Sequence, residues 1–334
     1  MTGMRIRAFA AAAVLLLAFA RPAEADSGEW LALADRAYAE SVEAVAAADA
    51  AGTYVRAQFV ASLASYSGQR FGWRDRRTQA WLRRLASLRT PTGGYGLGTP
   101  YDAFGDGSVN PAGTAYTITE AWHVGRVLLA GYDGGGVPAG AVRHVARLVA
   151  GAPSSAGGRC PAYSDHPNDT GRPCVWNVSA AAGWFLEQAH ARGLAGRTPA
   201  RGWLARVRAA YRADLGGWTY QADTAVLQDS WHNAPIVAAM VETDPAFGRE
   251  VLAAHFAHWP AGGANADLLP YDCSKADANF AAIRASATQP AGTPLLVLQT
   301  RAGYASALPA VARVCGVIGP GSGEGPGHSA GVAG

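Results

Sequence analysis

Hydrophobic positions recur at helical spacing from residue 28 to residue 315, in about eleven segments, and no stretch alternates as a strand does. The period predicts helices over 29–48, 54–66, 74–88, 114–129, 141–149, 175–190, 201–212, 230–241, 245–258, 275–287 and 295–314, the last broken near Gly303. Val175 to His190 and Ser230 to Val241 are apolar nearly all round. Arg74 to Leu88 instead sets Ala80, Trp81, Leu85 and Leu88 on one stripe and Arg76, Arg77, Arg83 and Arg84 mainly off it. Alternation of the two kinds predicts an inner layer of helices wrapped by an outer one. The expected fold is all-α, an α/α barrel or toroid of about five to six helical hairpins in a single domain over 26–315. A helical stack that does not close is the alternative.

The connections alternate in length. The long ones, Arg89 to Pro111, Ala152 to Cys174, Asp214 to Asp223 and Trp259 to Ser274, hold most of the aromatic, acidic, Asn, Gly and Cys residues. Antiparallel successive helices would gather them on one face, where a site is expected.

Composition sets the compartment. Arg5 and Arg7, the apolar run Phe9 to Ala20 and Ala23-Glu24-Ala25 read as a Sec-type signal peptide over 1–25. An uncleaved anchor is the alternative, and no later apolar run is long enough to span a bilayer. Residues 316–334 are rich in Gly, Pro and Ser and predict a disordered tail. The formal charge of +3 falls to about +1 once Arg5, Arg7, Arg21 and Glu24 are removed. Without a basic stripe, neither nucleic acid nor, after cleavage, a membrane is expected as partner. A monomer acting on a glycan or other small molecule is. The basic charge is nearly all Arg, and with the heavy use of Ala and Gly this suggests a GC-rich bacterial genome. Four cysteines suit export. They allow three pairings, of which Cys160–Cys174 and Cys273–Cys315 are expected. A zinc site is disfavoured, because no CxxC pair or suitably spaced His accompanies them.

Two segments sharpen the architecture. Ala80-Trp81-Leu82-Arg83-Arg84-Leu85 leads to Gly93-Gly94-Tyr95 and then Gly113-Thr114-Ala115-Tyr116. Gly202-Trp203-Leu204 leads to Gly216-Gly217-Trp218 and then Asp223-Thr224-Ala225. This pattern resembles the repeat of the terpenoid-cyclase and prenyltransferase α/α toroid, over Gln79–Leu129 and Arg201–Val241. The resemblance implies architecture only. Cyclases of that family carry an Asp-x-Asp-Asp motif before Thr-Ala, where this chain has Asn110-Pro111-Ala112-Gly113. The architecture is also that of six-hairpin glycosidases and of polysaccharide lyases, and export favours that class.

Candidate chemistry concentrates in the connections. Tyr116, Glu120 and His123 are spaced to share one helical face, with Tyr101, Asp102 and Asp106 opposite on the loop. Paired carboxylates can divide into acid and base, and Tyr with His can abstract a proton beside a uronate carboxylate. A plain alternative makes Asp106-Gly107 a turn and Asp102 its cap. Asp106, Ser108 and Asn110 alternate as calcium ligands can, but Pro111 and Thr117 break the calcium-loop pattern. No cofactor is expected beyond such a structural calcium.

The second connection offers Tyr163, Asp165, His166, Asn168 and Asp169, then Trp176 and Asn177 at a helix mouth for stacking on and bonding to a sugar. A packed Trp and a capping Asn compete with that role. In the third, Asp229, Trp231, His232 and Asn233 sit just before Pro235 at another helix mouth, and His232 is the best single candidate for general acid or base. Tyr271-Asp272 in the fourth repeats the Tyr-Asp of the first. No nucleophile elbow, HExxH, P-loop or dinucleotide fingerprint occurs.

The reading is a secreted glycan hydrolase or lyase. His232 or Tyr116 would move protons, Asp102, Asp106, Glu120 or Asp229 would be acids, and Trp176, Asn177, Trp231, Asn233, His123, Tyr101 and Tyr271 would hold substrate. A non-catalytic carbohydrate binder and a cyclase-like or isomerase-like enzyme on an apolar substrate are the alternatives.

Overall fold

The computed structural model describes residues 27–196, 199–287 and 295–315. The expected signal segment and Gly-rich tail lie outside these. The described chain is mostly helix: α1 Ser27–Ala50, α2 Ala57–Phe71, α3 Arg76–Ser87, α4 Gly125–Asp133, α5 Ala139–Ala150, α6 Trp176–Ala191, α7 Ala200–Ala209, α8 Ser230–Thr243, α9 Pro245–His258, α10 Ala276–Ala287 and α11 Leu295–Cys315. Each lies where the hydrophobic period places one. The ends follow local chemistry. Asp75 accepts the Arg77 amide at 2.8 Å and starts α3. Asp229 caps α8 through the His232 amide, and Asp244 with Pro245 starts α9.

Burial divides the helices as expected. From Trp176 to Leu186 α6 is buried throughout, and α8 is buried from Ile236 to Met240. By contrast α3 buries only Thr78 and Leu85, and α7 only Ala200, Trp203 and Val207. The packing partners run in sequence. α2 packs on α3, α4 and α11; α4 on α5 and α6; α6 on α7 and α8; α8 on α9 and on the short 3-10 turn Gly263–Asp267. That turn packs on α10 and α11, and α11 packs on α1 and α2.

Three local features differ from the sequence reading. First, α11 continues through Gly303 without a break. One helical glycine costs only about 1 kcal/mol, which packing against α1 and α2 offsets. Second, two residues each of Tyr101–Asp102 (β1) and Val109–Asn110 (β2) pair antiparallel, a ladder too short to show as alternation. Third, α4 is entered through a π-helical turn, Thr119–Val124, whose Gly125 amide reaches back to Glu120 O.

Isolated bridges join the long connections edge to edge. Tyr116 pairs with Ser164, tying the first to the second, and Val175 pairs with Gln221, tying the second to the third. Both expected disulfides form, Cys160–Cys174 and Cys273–Cys315. The first closes a 14-residue separation, so a C160S/C174S variant is expected to lose about 3 kcal/mol in the chain-entropy account. Urea titration beside the parent protein measures it. A smaller effect, about 1 kcal/mol by the same measurement, is expected for Asp75→Ala, which removes the α3 cap.

The two Gly-Gly-aromatic motifs share one geometry. Gly93 and Gly216 both have positive φ, at 85° and 67°. A Cβ on Gly94 would lie 2.2 Å from Glu120 Oε1, and one on Gly217 would lie 2.5 Å from Asn233 Nδ2. In each motif the second glycine therefore makes room for a polar side chain in the first turns of the next helix. Tyr95 and Trp218 then fill the core, Trp218 donating to Val207 O at 2.6 Å.

Candidate functional site

The joined connections build an aromatic and acid–base row. The Tyr101 and Tyr116 rings meet edge to face at 6.0 Å, Tyr116 and Tyr163 at 5.8 Å, and Phe104 and Tyr163 at 5.7 Å. Tyr163 and Tyr220 are near enough to shift each other's titration, and Tyr220 stands edge-on to the His232 imidazole at 5.2 Å. Beyond it His232 Nδ1 lies 2.7 Å from Asp229 Oδ2. The dyad is open to solvent, with side-chain exposures of 39 % for His232 and 58 % for Asp229, and Trp231 beside it is 51 % exposed. Nε2 of His232 makes no hydrogen bond among the described residues.

Electrostatics divide these groups by role. The His232 ring holds the Asp229 carboxyl below its ordinary range despite partial desolvation, so this carboxylate is an anion that orients the imidazole. Desolvation pushes the Tyr116 and Tyr220 phenols up to about 12 and raises Tyr163 well above the ordinary value. All three keep their protons at neutral pH and are donors. Behind the row Asp169 is fully buried and accepts from Asn110 Nδ2 at 2.8 Å and Ser164 Oγ at 2.5 Å.

The other expected acids lie elsewhere. Asp102 accepts the amides of Phe104, Gly105 and Gly107. Asp106 accepts from Ser108 N and Oγ and pairs with Arg172 at 2.6 Å, which together hold it down at about 2. Both carboxylates fix the turn between β1 and β2. Asn110 points inward to Asp169 while Asp106 faces outward to Arg172, so the Asp106-Ser108-Asn110 triplet does not converge on a point. Among the described residues no cluster of three or more His, Cys, Asp or Glu could hold a metal ion.

The shared face expected of Tyr116, Glu120 and His123 does not form. Tyr116 is extended, bridged to Ser164, and helix begins only at Thr117. Glu120 instead turns toward Gly94 and Ala115, into a cavity of about 320 Å³ lined also by Thr92, Thr117, Leu148 and Asp165. Desolvation raises its carboxyl to about 8. Trp176 likewise leaves the row and lines a second cavity, of about 500 Å³, with Arg159, Arg206 and Asp223. Asn177 is buried and its Oδ1 accepts the Val178 amide, while Asn233 is buried beneath Gly217.

His123 and Tyr271 belong to a third cluster, which the sequence reading did not assemble. Arg126 reaches Asp267 at 3.3 Å and lies over the Trp122 ring at 4.4 Å. Trp122 meets Trp184 edge to face, and Trp184 Nε1 donates to Glu242 Oε2 at 2.7 Å. Tyr271 donates to the other Glu242 oxygen. Arg126 and Asp267 each keep 36 % side-chain exposure, yet desolvation is the largest influence on Arg126 and drives His123 down to about 4. The available signal was a charged side chain within a mostly apolar helical segment, as at Arg126 and Glu242.

No protein-family model matches the chain, and no curated protein matches it.

Proposed function

We propose that the protein is an exported glycan-active enzyme that cleaves a uronic-acid polysaccharide by β-elimination at the Tyr-His-Asp row. The observation that carries this reading is His232, fixed through Nδ1 by Asp229, with Nε2 open beside a row of protonated phenols. The imidazole takes the proton next to the uronate carboxylate. The C–O bond to the leaving sugar breaks as the new double bond forms, and a phenol, Tyr220 or Tyr163, protonates the departing oxygen. Arg172, over the Phe104 ring at 5.0 Å, ties the far end of the row to Asp106. Tyr101 and Trp231 offer ring faces for sugars.

Hydrolysis at the tyrosine row is disfavoured because it wants two carboxyls across one cleft, and the facing pair Glu120 and Asp165 lines a separate cavity. Asp102 and Asp106 are committed to the turn, and Glu120 opens into a different cavity. The fold we propose for this scaffold is the closed α/α toroid. Its support is that the packing partners return to their start, from α2 through α4, α6, α8 and the Gly263–Asp267 turn to α11 and back to α2. Export is supported by the two disulfides and by the signal-like N-terminal sequence. Among the described residues no helix is long and apolar enough to cross a membrane.

Purified protein incubated with uronate and neutral polysaccharides tests the reading. Rising ultraviolet absorbance from unsaturated ends is the expected result. Reducing ends without absorbance would replace elimination with hydrolysis. Saturable binding without either product would leave a carbohydrate binder.

A further inference from the structure

The Glu120 cavity has a chemistry of its own that the tyrosine row does not use. Glu120 is about 95 % buried, at 5 % exposure. Its Oε1 takes only a long contact from the Tyr95 amide, at 3.3 Å. Among the described residues its Oε2 has no hydrogen-bond partner, and the side chain lines the cavity. The small residues Gly94 and Ala115 make room for it, and the π-helical turn carries it. A wide turn of this kind is uncommon and frequent at functional sites.

Facing Glu120 is Asp165, whose oxygens accept from Ala115 N at 2.9 Å and Thr92 Oγ1 at 2.8 Å. The C-terminal end of α5, through Leu148 and Gly151, forms another wall and adds partial negative charge. Among the described residues no Arg, Lys or His lines the cavity. Nearby, His144 is engaged by Gly93 O and Gln58 by Thr119. The polar wall therefore presents acceptors and hydroxyls, while Ala115, Leu148, Ala152 and Pro153 make the rest apolar. A calcium or magnesium ion wants six or more oxygens and would leave that apolar wall unused. An organic cation uses both walls.

We propose that this cavity binds a compact primary ammonium compound, its nitrogen between Glu120 and Asp165 and its carbon body against Leu148, Ala152 and Pro153. An ammonium group brings three donors to a site rich in acceptors. The inference stands apart from the polysaccharide reading and survives its failure.

Calorimetric titration with cyclohexylamine and with its neutral counterpart cyclohexanol is the test. The amine is expected to bind at least about tenfold more tightly than the alcohol. Glu120→Gln, close to isosteric, is expected to weaken the amine by about tenfold or more and leave the alcohol unchanged. Near pH 7 Glu120 holds a proton that an ammonium ligand must displace. Heats in phosphate and MOPS buffers should therefore differ by a released proton in the parent protein and not in Glu120→Gln. Ala152→Trp, at the half-buried rim, fills the cavity without touching the carboxyl and should also abolish binding, which keeps the test open if Glu120→Gln does not fold. Equal affinity for amine and alcohol, amine binding unchanged in a folded variant, or no amine binding at millimolar concentration would overturn the proposal.

Discussion

Replacing His232 with glutamine is expected to lower turnover by about 10²–10⁴-fold, the usual contribution of a positioned acid–base group. The fold should not change. His232 is half exposed, and Asp229 caps α8 through the His232 backbone amide, which the substitution retains. Asp229→Asn separates the two tasks of that carboxylate. Asparagine is as good a helix cap as aspartate, so melting should hardly move. The charge that orients the ring and stabilises the imidazolium is lost, and turnover is expected to fall by about 10–10²-fold. Asp229→Ala should show the same kinetic loss together with about 1 kcal/mol of lost stability. Tyr220→Phe removes a donor and keeps the ring edge, so it should reduce turnover while sparing substrate binding. Polysaccharide turnover in His232→Gln above half the parent rate would remove the imidazole from the chemistry.

The sequence located this row more readily than it assembled it. Helix positions were legible because burial imposes a 3.6-residue period, and segments such as Pro245–His258 carry their own start signals. The decorated connections were legible as a set, and the structure joins three of them through the Tyr116–Ser164 and Val175–Gln221 bridges. Side-chain direction at the helix entries was not legible. Tyr116 was read as the first residue of a helical face, but it lies in an extended pairing, and the π-helical turn that follows carries Glu120 to another cavity. Backbone pairing between connections decides that direction, and no local period records it.

The Arg126 cluster was hidden for a related reason. Arg126 and Asp267 are 141 residues apart, and Trp184 and Glu242 are 58 apart. A single sequence marks each as a charge or a ring in a helix or connection and does not say which partner it meets. The disulfides were easier, since Cys160 and Cys174 bracket one connection and leave the other pair determined.

Glu120 also predicts how stability responds to pH. Its folded-state value of about 8 lies above the ordinary 4.5, so between those values the folded protein holds a proton that the unfolded chain has released. Stability must then fall as pH rises through this window, by roughly 4–5 kcal/mol over its full width. Below the window the carboxyl is neutral in both states and nothing is lost. His123 and His255 act in the opposite sense. Both are driven by burial from 6.5 to about 4, so the unfolded chain binds their protons first and stability rises with pH between those values. In the parent protein the two trends overlap below about pH 6.5 and partly cancel, and only the decline from there to about pH 8 belongs to Glu120 alone. The decisive measurement is therefore the difference between Glu120→Gln and the parent in urea titrations from pH 4 to 9. The histidine contributions are common to both proteins and drop out. The variant should gain steadily on the parent as pH rises, with most of the gain complete by pH 8. A difference independent of pH would mean that Glu120 is ionised in the folded protein, its charge already stabilised within the cavity.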